Sequence, residues 1–237
     1  MKNIYQIAGL VVQMDSFGRT EEQALPYRIE TEKKADIVIS SKWRKLKALY
    51  PNISDEDAEY IASGAVFYQH ILQYDGMLLH ASAVVVNEKA YLFSANPGTG
   101  KSTHTGLWLK LFGEKAYILN DDKPALRLVD GKWYAFGTPW SGKNDISVNK
   151  GVPVAGICVL EREKHNHIAH FGGKEAIFAL FKQTVQSKKA INRLKLLELM
   201  DSVISTVPIW KLRCNMELEA AVISFEAMSG QKMEEIV

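Results

Sequence analysis

The sequence is poor in cysteine, with two in 237 residues. Cys158 and Cys214 stand far apart, share no short motif, and each lies in an apolar run. They read as small core residues and not as a disulfide framework or a catalytic thiol. Long apolar runs are missing as well; none approaches the roughly 20 residues that a bilayer span needs. The first six residues have neither the apolar stretch nor the small-residue cleavage site of a signal peptide. The expectation is a cytoplasmic chain with no membrane partner. An excess of charge of either sign is also absent, because the formal net charge is +2. That balance gives no general pull on nucleic acid, so none is expected as a partner. No internal repeat or low-complexity tract is found, which excludes a repeat array and a biased linker.

What is present is an ordinary globular composition, 47% apolar, over a length near the upper end of one domain. A division near residue 75 separates a small N-terminal α+β region, 1–75, from a nucleotide-binding catalytic domain, 76–237. In the first part, residues 7–12 and 36–40 read as short strands and 41–50 as a basic helix. Ser54 followed by Asp55, Glu56 and Asp57 reads as a capped helix start, with Ile61, Ala65, Phe67, Ile71 and Leu72 at mostly helical spacing. In the second part, residues 77–86 form one dense apolar run. Asn87 and Glu88 then make a turn into a strand at 90–94. An amphipathic helix follows at 103–112, and strands at 116–119, 125–129, 132–136 and 154–161. Residues 174–206 read as helical with a polar break at 186–189. A strand at 208–214 and a helix from about Glu217 close the chain.

The strongest motif is Ala95-Asn96-Pro97-Gly98-Thr99-Gly100-Lys101-Ser102, with Thr103 after it. It fits the phosphate-loop (Walker A) pattern G-x-x-x-x-G-K-[ST] between a strand and a helix, with Ala95 in place of the first glycine. Main-chain amides at the positive end of the helix make a concave anion site. Gly98 and Gly100 let the backbone approach oxygen atoms. Lys101 would bridge the β and γ phosphates, and Ser102 would offer its hydroxyl to magnesium, which prefers oxygen. About twenty residues on, Asp121 and Asp122 end an apolar strand. A carboxylate there reaches a metal beside the phosphates, and a second one can take a proton from a hydroxyl nucleophile. Alone, an Asp-Asp pair reads as a solvated turn; downstream of this loop it reads as functional.

His80 in Leu78-Leu79-His80-Ala81-Ser82-Ala83, the segment Asn96 to Thr103, and Asn120-Asp121-Asp122 together resemble the catalytic core of HPr kinase/phosphorylase, a family that shares its fold with ATP-using phosphoenolpyruvate carboxykinases. Residues 138–145, Thr-Pro-Trp-Ser-Gly-Lys-Asn-Asp, resemble a loop in its shorter relatives, among them kinases of lasso-peptide precursors. The resemblance covers roughly residues 76 to 165. It implies an α/β fold with a mixed sheet around a P-loop. It implies ATP and Mg2+ as cofactors, with Asn96, Pro97, Gly98, Thr99, Gly100, Lys101, Ser102 and Thr103 holding the nucleotide. By position, Asp121 would be the base, Ser102 and Asp122 the metal ligands, and His80 a neighbour of the acceptor or the phosphates. Lys143 would approach the transferring phosphoryl group and Trp140 would wall the pocket; taken alone, that segment is a surface loop with an ordinary lysine. The implied activity is a serine kinase acting on a peptide or small protein, and the family's rings allow a homo-oligomer. The long glycine- and arginine-containing segment that follows the core in true HPr kinase/phosphorylases is not found, so HPr phosphorylation and phosphorylase activity are not expected. A small-molecule kinase and a non-catalytic nucleotide-binding module stay open as alternatives. His165, His167 and His170 form H-x-H-x-x-H in a polar segment, read as solvated in preference to a metal site.

Overall fold

A computed structural model describes residues 3–233. The chain opens with the hairpin β1 (Ile4–Ile7) and β2 (Leu10–Met14). The apolar run at 7–12, expected as one strand, is instead broken by a turn at Ala8 and Gly9, both at positive φ. Helix α1 (Arg19–Ala24) follows, and β3 (Ile37–Ile39) pairs parallel with β2. After α2 (Trp43–Leu49) comes α3 (Asp55–His70). Its start is as expected: the Ser54 hydroxyl accepts from the Asp57 amide at 2.9 Å, beside carboxylates that suit the helix dipole.

The buried face of α3 carries Tyr60, Ser63, Gly64, Phe67 and Tyr68, at three- and four-residue spacing. A mid-helix glycine costs about 1 kcal/mol against alanine. Gly64 is required because Trp140 lies on it; an added Cβ would sit 2.8 Å from the indole Cδ1. Trp140 is 1% exposed, stacks on Phe67 at 4.9 Å, and donates from Nε1 to Ser63 Oγ at 3.1 Å. It is a core residue that anchors residues 138–145 onto α3, and not the pocket wall the sequence suggested.

The apolar run at 77–86 also divides. Strand β4 (Gly76–Leu78) pairs with residues 125–127, whereas β5 (Ala81–Val86) lies between β6 (Lys89–Ser94) and β7 (Ala116–Asp122), antiparallel to both. Leu79 and His80 make the change of partner. Helix α4 (Lys101–Phe112) joins β6 to β7. Strands β8 (Ala125–Val129) and β9 (Lys132–Phe136) form a second hairpin. The long β10 (Gly151–Arg162) pairs antiparallel with β9 at its start and parallel with β6 further on, so one strand carries the sheet from one half into the other. Strand β11 (His167–His170), helices α5 (Gly173–Phe181) and α6 (Ala190–Thr206), strand β12 (Ile209–Cys214) and α7 (Leu218–Ser229) complete the chain. Among the described residues the result is an α/β fold with a nine-stranded mixed sheet and a separate three-stranded sheet of β1, β2 and β3.

Every residue of β5 is buried, so the strand is covered on both faces. Alternation sends Ala81, Ala83 and Val85 toward one apolar cluster, which contains Leu196, Leu199 and Val203 of α6. Val84 and Val86 enter the other, with Trp108 of α4 and Phe225 of α7. Among the described residues no helix is long and apolar enough to cross a membrane. Trp140→Ala should lower unfolding stability by about 3–5 kcal/mol, the range for deleting a buried aromatic. Urea unfolding followed by circular dichroism measures it, and a loss under 1 kcal/mol would contradict this packing.

Candidate active site

The site forms where β6 and β7 end and β5 begins. Because β5 is antiparallel to both, Ala81 lies opposite Ser94 on one side and Asp122 on the other. His80, the glycine-rich loop and the two aspartates therefore meet at one edge. Residues 95–100 leave β6 and turn back into α4. The Thr99 amide donates to the Asn96 carbonyl at 3.1 Å. Gly98 and Gly100 have φ of 78° and 117°, where an L side chain would be strained. Arg162, at the end of β10, donates from Nε to the Thr99 carbonyl at 3.1 Å and from Nη2 to the Gly98 carbonyl at 2.5 Å. Those carbonyls are thus occupied on the side facing β10. Helix α4 has no capping side chain and no acidic residue in its first turn. Its first amides, those of Lys101, Ser102 and Thr103, lack intrahelical acceptors by the geometry of a helix start. The loop residues Asn96, Pro97 and Gly98 are exposed, as are Ser102 and Thr103.

The Lys101 ammonium reaches back to the Ala95 carbonyl at 3.4 Å. Burial lowers its pKa, opposed by the charges of Asp122 and Asp121. An anion placed against the loop would offset that desolvation. The Ser102 hydroxyl donates to Asp121 Oδ1 at 2.9 Å, and Asn144 Nδ2 donates to Asp121 Oδ2 at 2.6 Å. Both oxygens of Asp121 are thereby fixed. Asp122 faces other partners: His80 Nε2 lies 2.8 Å from Oδ1 and Lys123 Nζ 3.6 Å from Oδ2. Burial works against the Asp122 carboxylate. The hydrogen bond and charge of His80, with the charges of Lys123 and Lys101, outweigh it and hold the pKa below the usual value. The φ of Asp122 is 123°, a strained value for a residue with a side chain.

Residues 138–145 clamp this strand end. Gly142, at φ 79°, lies so close that an added Cβ would be 2.6 Å from Asp122 Cβ. Its amide donates to the Tyr60 hydroxyl at 2.9 Å. Lys143 is exposed in the same turn, one residue before the Asn144 that holds Asp121. Asn120 braces the clamp from beneath, donating from Nδ2 to the Thr138 carbonyl at 3.0 Å and accepting the Lys123 amide at 2.8 Å. Arg162, Lys123 and Tyr60 were given no role in the sequence reading, and Asn144 stood there only as part of the 138–145 segment. Arg162 and Lys123 each follow the end of a predicted strand, the one signal that could have marked them.

Two cavities flank the loop. One of about 260 Å³ lies between α4 and the ends of β10 and β12, with Thr99, Thr103, Leu107, Leu160 and Met216 in its lining. The other, about 380 Å³, opens at His80 and Lys123. A larger one of about 1000 Å³ lies against β1 to β3 and residues 28–35, away from the glycine-rich loop. His170 stacks on Trp210 at 3.7 Å, and no group of three metal-ligating side chains forms among the described residues. For magnesium, the donors at the loop are a hydroxyl and carboxylates. That is an all-oxygen, anionic set, and it fits an ion that takes one or two carboxylates together with substrate phosphates.

No family model and no curated protein matches the chain. Among solved structures, it matches the Hpr(Ser) kinase/phosphatase from Coxiella burnetii at 13% identity, over 65% of this chain and 93% of that one, with a TM-score of 0.34. The functional reading rests on the geometry of the site.

His104, one turn into α4, carries a separate prediction. Its ring is buried against Phe93 at 4.5 Å, with Nε2 3.1 Å from Ser224 Oγ, and burial pushes its pKa down to about 4. An unfolded histidine binds its proton near pH ~6.5. Between those values the unfolded chain holds the extra proton, so stability rises with pH across that window and is lost as pH falls through it. Urea midpoints from pH 4 to 7 should show this slope in the wild type. The slope should flatten in His104→Gln, and an identical slope in both proteins would refute the assignment.

Proposed function

We propose that this chain is an ATP- and magnesium-dependent kinase that transfers the γ-phosphate to a hydroxyl, a serine of a peptide or small protein. The observation that carries the reading is the hydrogen bond from Ser102 to Asp121. It joins the first turn of the helix after the glycine-rich loop to the acidic end of β7. The open amides at the start of α4 and a carboxylate pair thus lie together, which supports a reading as a phosphoryl-transfer site.

In this reading Asn96 to Thr103 cradle the triphosphate, and Lys101 neutralises the β and γ oxygens. The cavity beside Leu107, Leu160 and Met216 takes the base. Magnesium, when bound, spreads the charge that develops between the β and γ phosphates. The two aspartates exchange the roles that the resemblance implies. Asp121 lies against Ser102, so Ser102 and Asp121 are the metal-side pair. Asp122 lies toward His80, Lys123 and the second cavity, so it is the base on the acceptor side. The acceptor oxygen attacks the γ-phosphorus as its proton passes to Asp122. The bond from the γ-phosphorus to the bridging oxygen breaks, and ADP leaves. His80 orients Asp122, and Lys143, on the clamp, approaches the outer oxygens of the transferring group.

Labelled ATP with candidate serine peptides tests the reading. Lys101→Ala should cut transfer by about 100- to 1000-fold, the scale of one lost charge-stabilising donor. The same assay separates the aspartates. Asp121→Asn should raise the magnesium concentration needed for half-maximal rate. Asp122→Asn should lower kcat by about 100-fold or more, as for loss of a general base, at unchanged magnesium dependence. The opposite pattern would restore Asp121 as the base. ATP binding with no acceptor-dependent turnover in any of these proteins would leave a non-catalytic nucleotide module instead.

A further inference from the structure

The cavity at the Asp122 end has a lining of one charge sign. His80, Asn96, Lys123, Lys182, Gln183 and Thr184 bound it, and among the described residues no carboxylate lines it. Its outer wall is the segment between α5 and α6, held in place at two points. The His80 amide donates to the Gln183 carbonyl at 2.7 Å, and Gln183 Nε2 donates to Asn96 Oδ1 at 3.4 Å. One wall is thereby tied both to the glycine-rich loop and to the residue that holds Asp122. Lys182 is therefore carried on a fixed support beside the reacting end of the site.

The two lysines are differently engaged. Lys123 is partly turned to Asp122 and lies 5.2 Å from the Tyr60 ring centroid. Lys182 is exposed and has no ion pair among the described residues. The basic surface continues past it, because Lys188, Lys189 and Arg193 are also exposed. An acceptor hydroxyl must approach Asp122, an anion. A carboxylate beside that hydroxyl would be repelled there unless cations on the far wall receive it, and this wall supplies one. A lysine or arginine beside the hydroxyl would face Lys182 and Lys123 as like charges.

We infer that this cavity selects acceptors whose hydroxyl is flanked by a carboxylate, and that Lys182 is the residue that sets this preference. The inference rests on the kinase reading for its role in catalysis, and on the cavity alone for binding. Two fluorescein-labelled peptides, Gly-Glu-Ser-Glu-Gly and Gly-Lys-Ser-Lys-Gly, are titrated at low salt and read by anisotropy. The acidic peptide should bind about fivefold more tightly, the upper scale of one exposed ion pair. Lys182→Glu should erase or reverse that ratio, Lys182→Arg should keep it, and ATP affinity should be the same in all three proteins. Equal binding of the two peptides, binding of neither, or a preference that survives Lys182→Glu overturns the inference. Labelled ATP added to the same mixtures separates it from the kinase reading. Acid-selective binding without transfer defeats the kinase and supports the cavity's selectivity. Transfer without acid preference does the reverse.

Discussion

The site depends on the placement of β5 between β6 and β7, antiparallel to both. That one pairing sets the glycine-rich loop and the aspartate pair side by side, although Lys101 and Asp121 are separated in the chain by all of α4. It also puts His80 at the entrance, because a strand that runs the other way begins where its neighbours end. Helices cover β5 on both sides, and its one polar side chain, Ser82, is buried with its hydroxyl 2.9 Å from that of Thr105. Burial on both faces is what keeps the register, and with it the spacing of the glycine-rich loop and the aspartates.

Electrostatics follow from that placement. Lys101 is drawn partly out of water beside two carboxylates, and its proton is held less tightly than usual. Asp122, also partly buried, keeps its charge because His80 and Lys123 face it. Lys101 and Asp122 are thus partly desolvated charges held side by side at one end of the sheet. In the kinase reading proposed above, charge fixed in this way would stabilise a developing phosphoryl charge. The strained φ of Asp122 and the close approach of Gly142 are where the backbone bears the cost.

Much of this was legible locally. The glycine spacing marks the turn between β6 and α4, because Gly98 and Gly100 take the positive φ that favours glycine. The Ser54 cap and the polar break before α6 are equally local signals, and both lie where they were expected. Two apolar runs misled. Residues 7–12 conceal a turn although Gly9 sits in it, because apolar residues flank it and Ala8 also takes the left-handed conformation. Residues 77–86 conceal a change of strand partner at Leu79 and His80, since apolar residues suit either pairing. The support of the site was illegible for another reason. Asn144 meets Asp121 across 23 residues, Arg162 meets Gly98 across 64, and Tyr60 meets Gly142 across 82. No local pattern encodes such contacts. Trp140 illustrates the same limit, because only the presence of α3 decides that its ring turns inward.

Arg19 links the first part of the chain to the centre. Its guanidinium bonds Asp145 at 2.6 Å, reaches the Gly142 carbonyl, and lies 4.2 Å from the Tyr60 ring centroid. Between those two anchor points lie Lys143 and Asn144. Helix α1 is thus a strut of the candidate site and not an appendage beside it. Recombination between related chains would meet a barrier here: a foreign N-terminal segment without a cation at this spot would leave the carboxamide of Asn144 unsteadied, so the first few dozen residues and the turn after Trp140 must be inherited together.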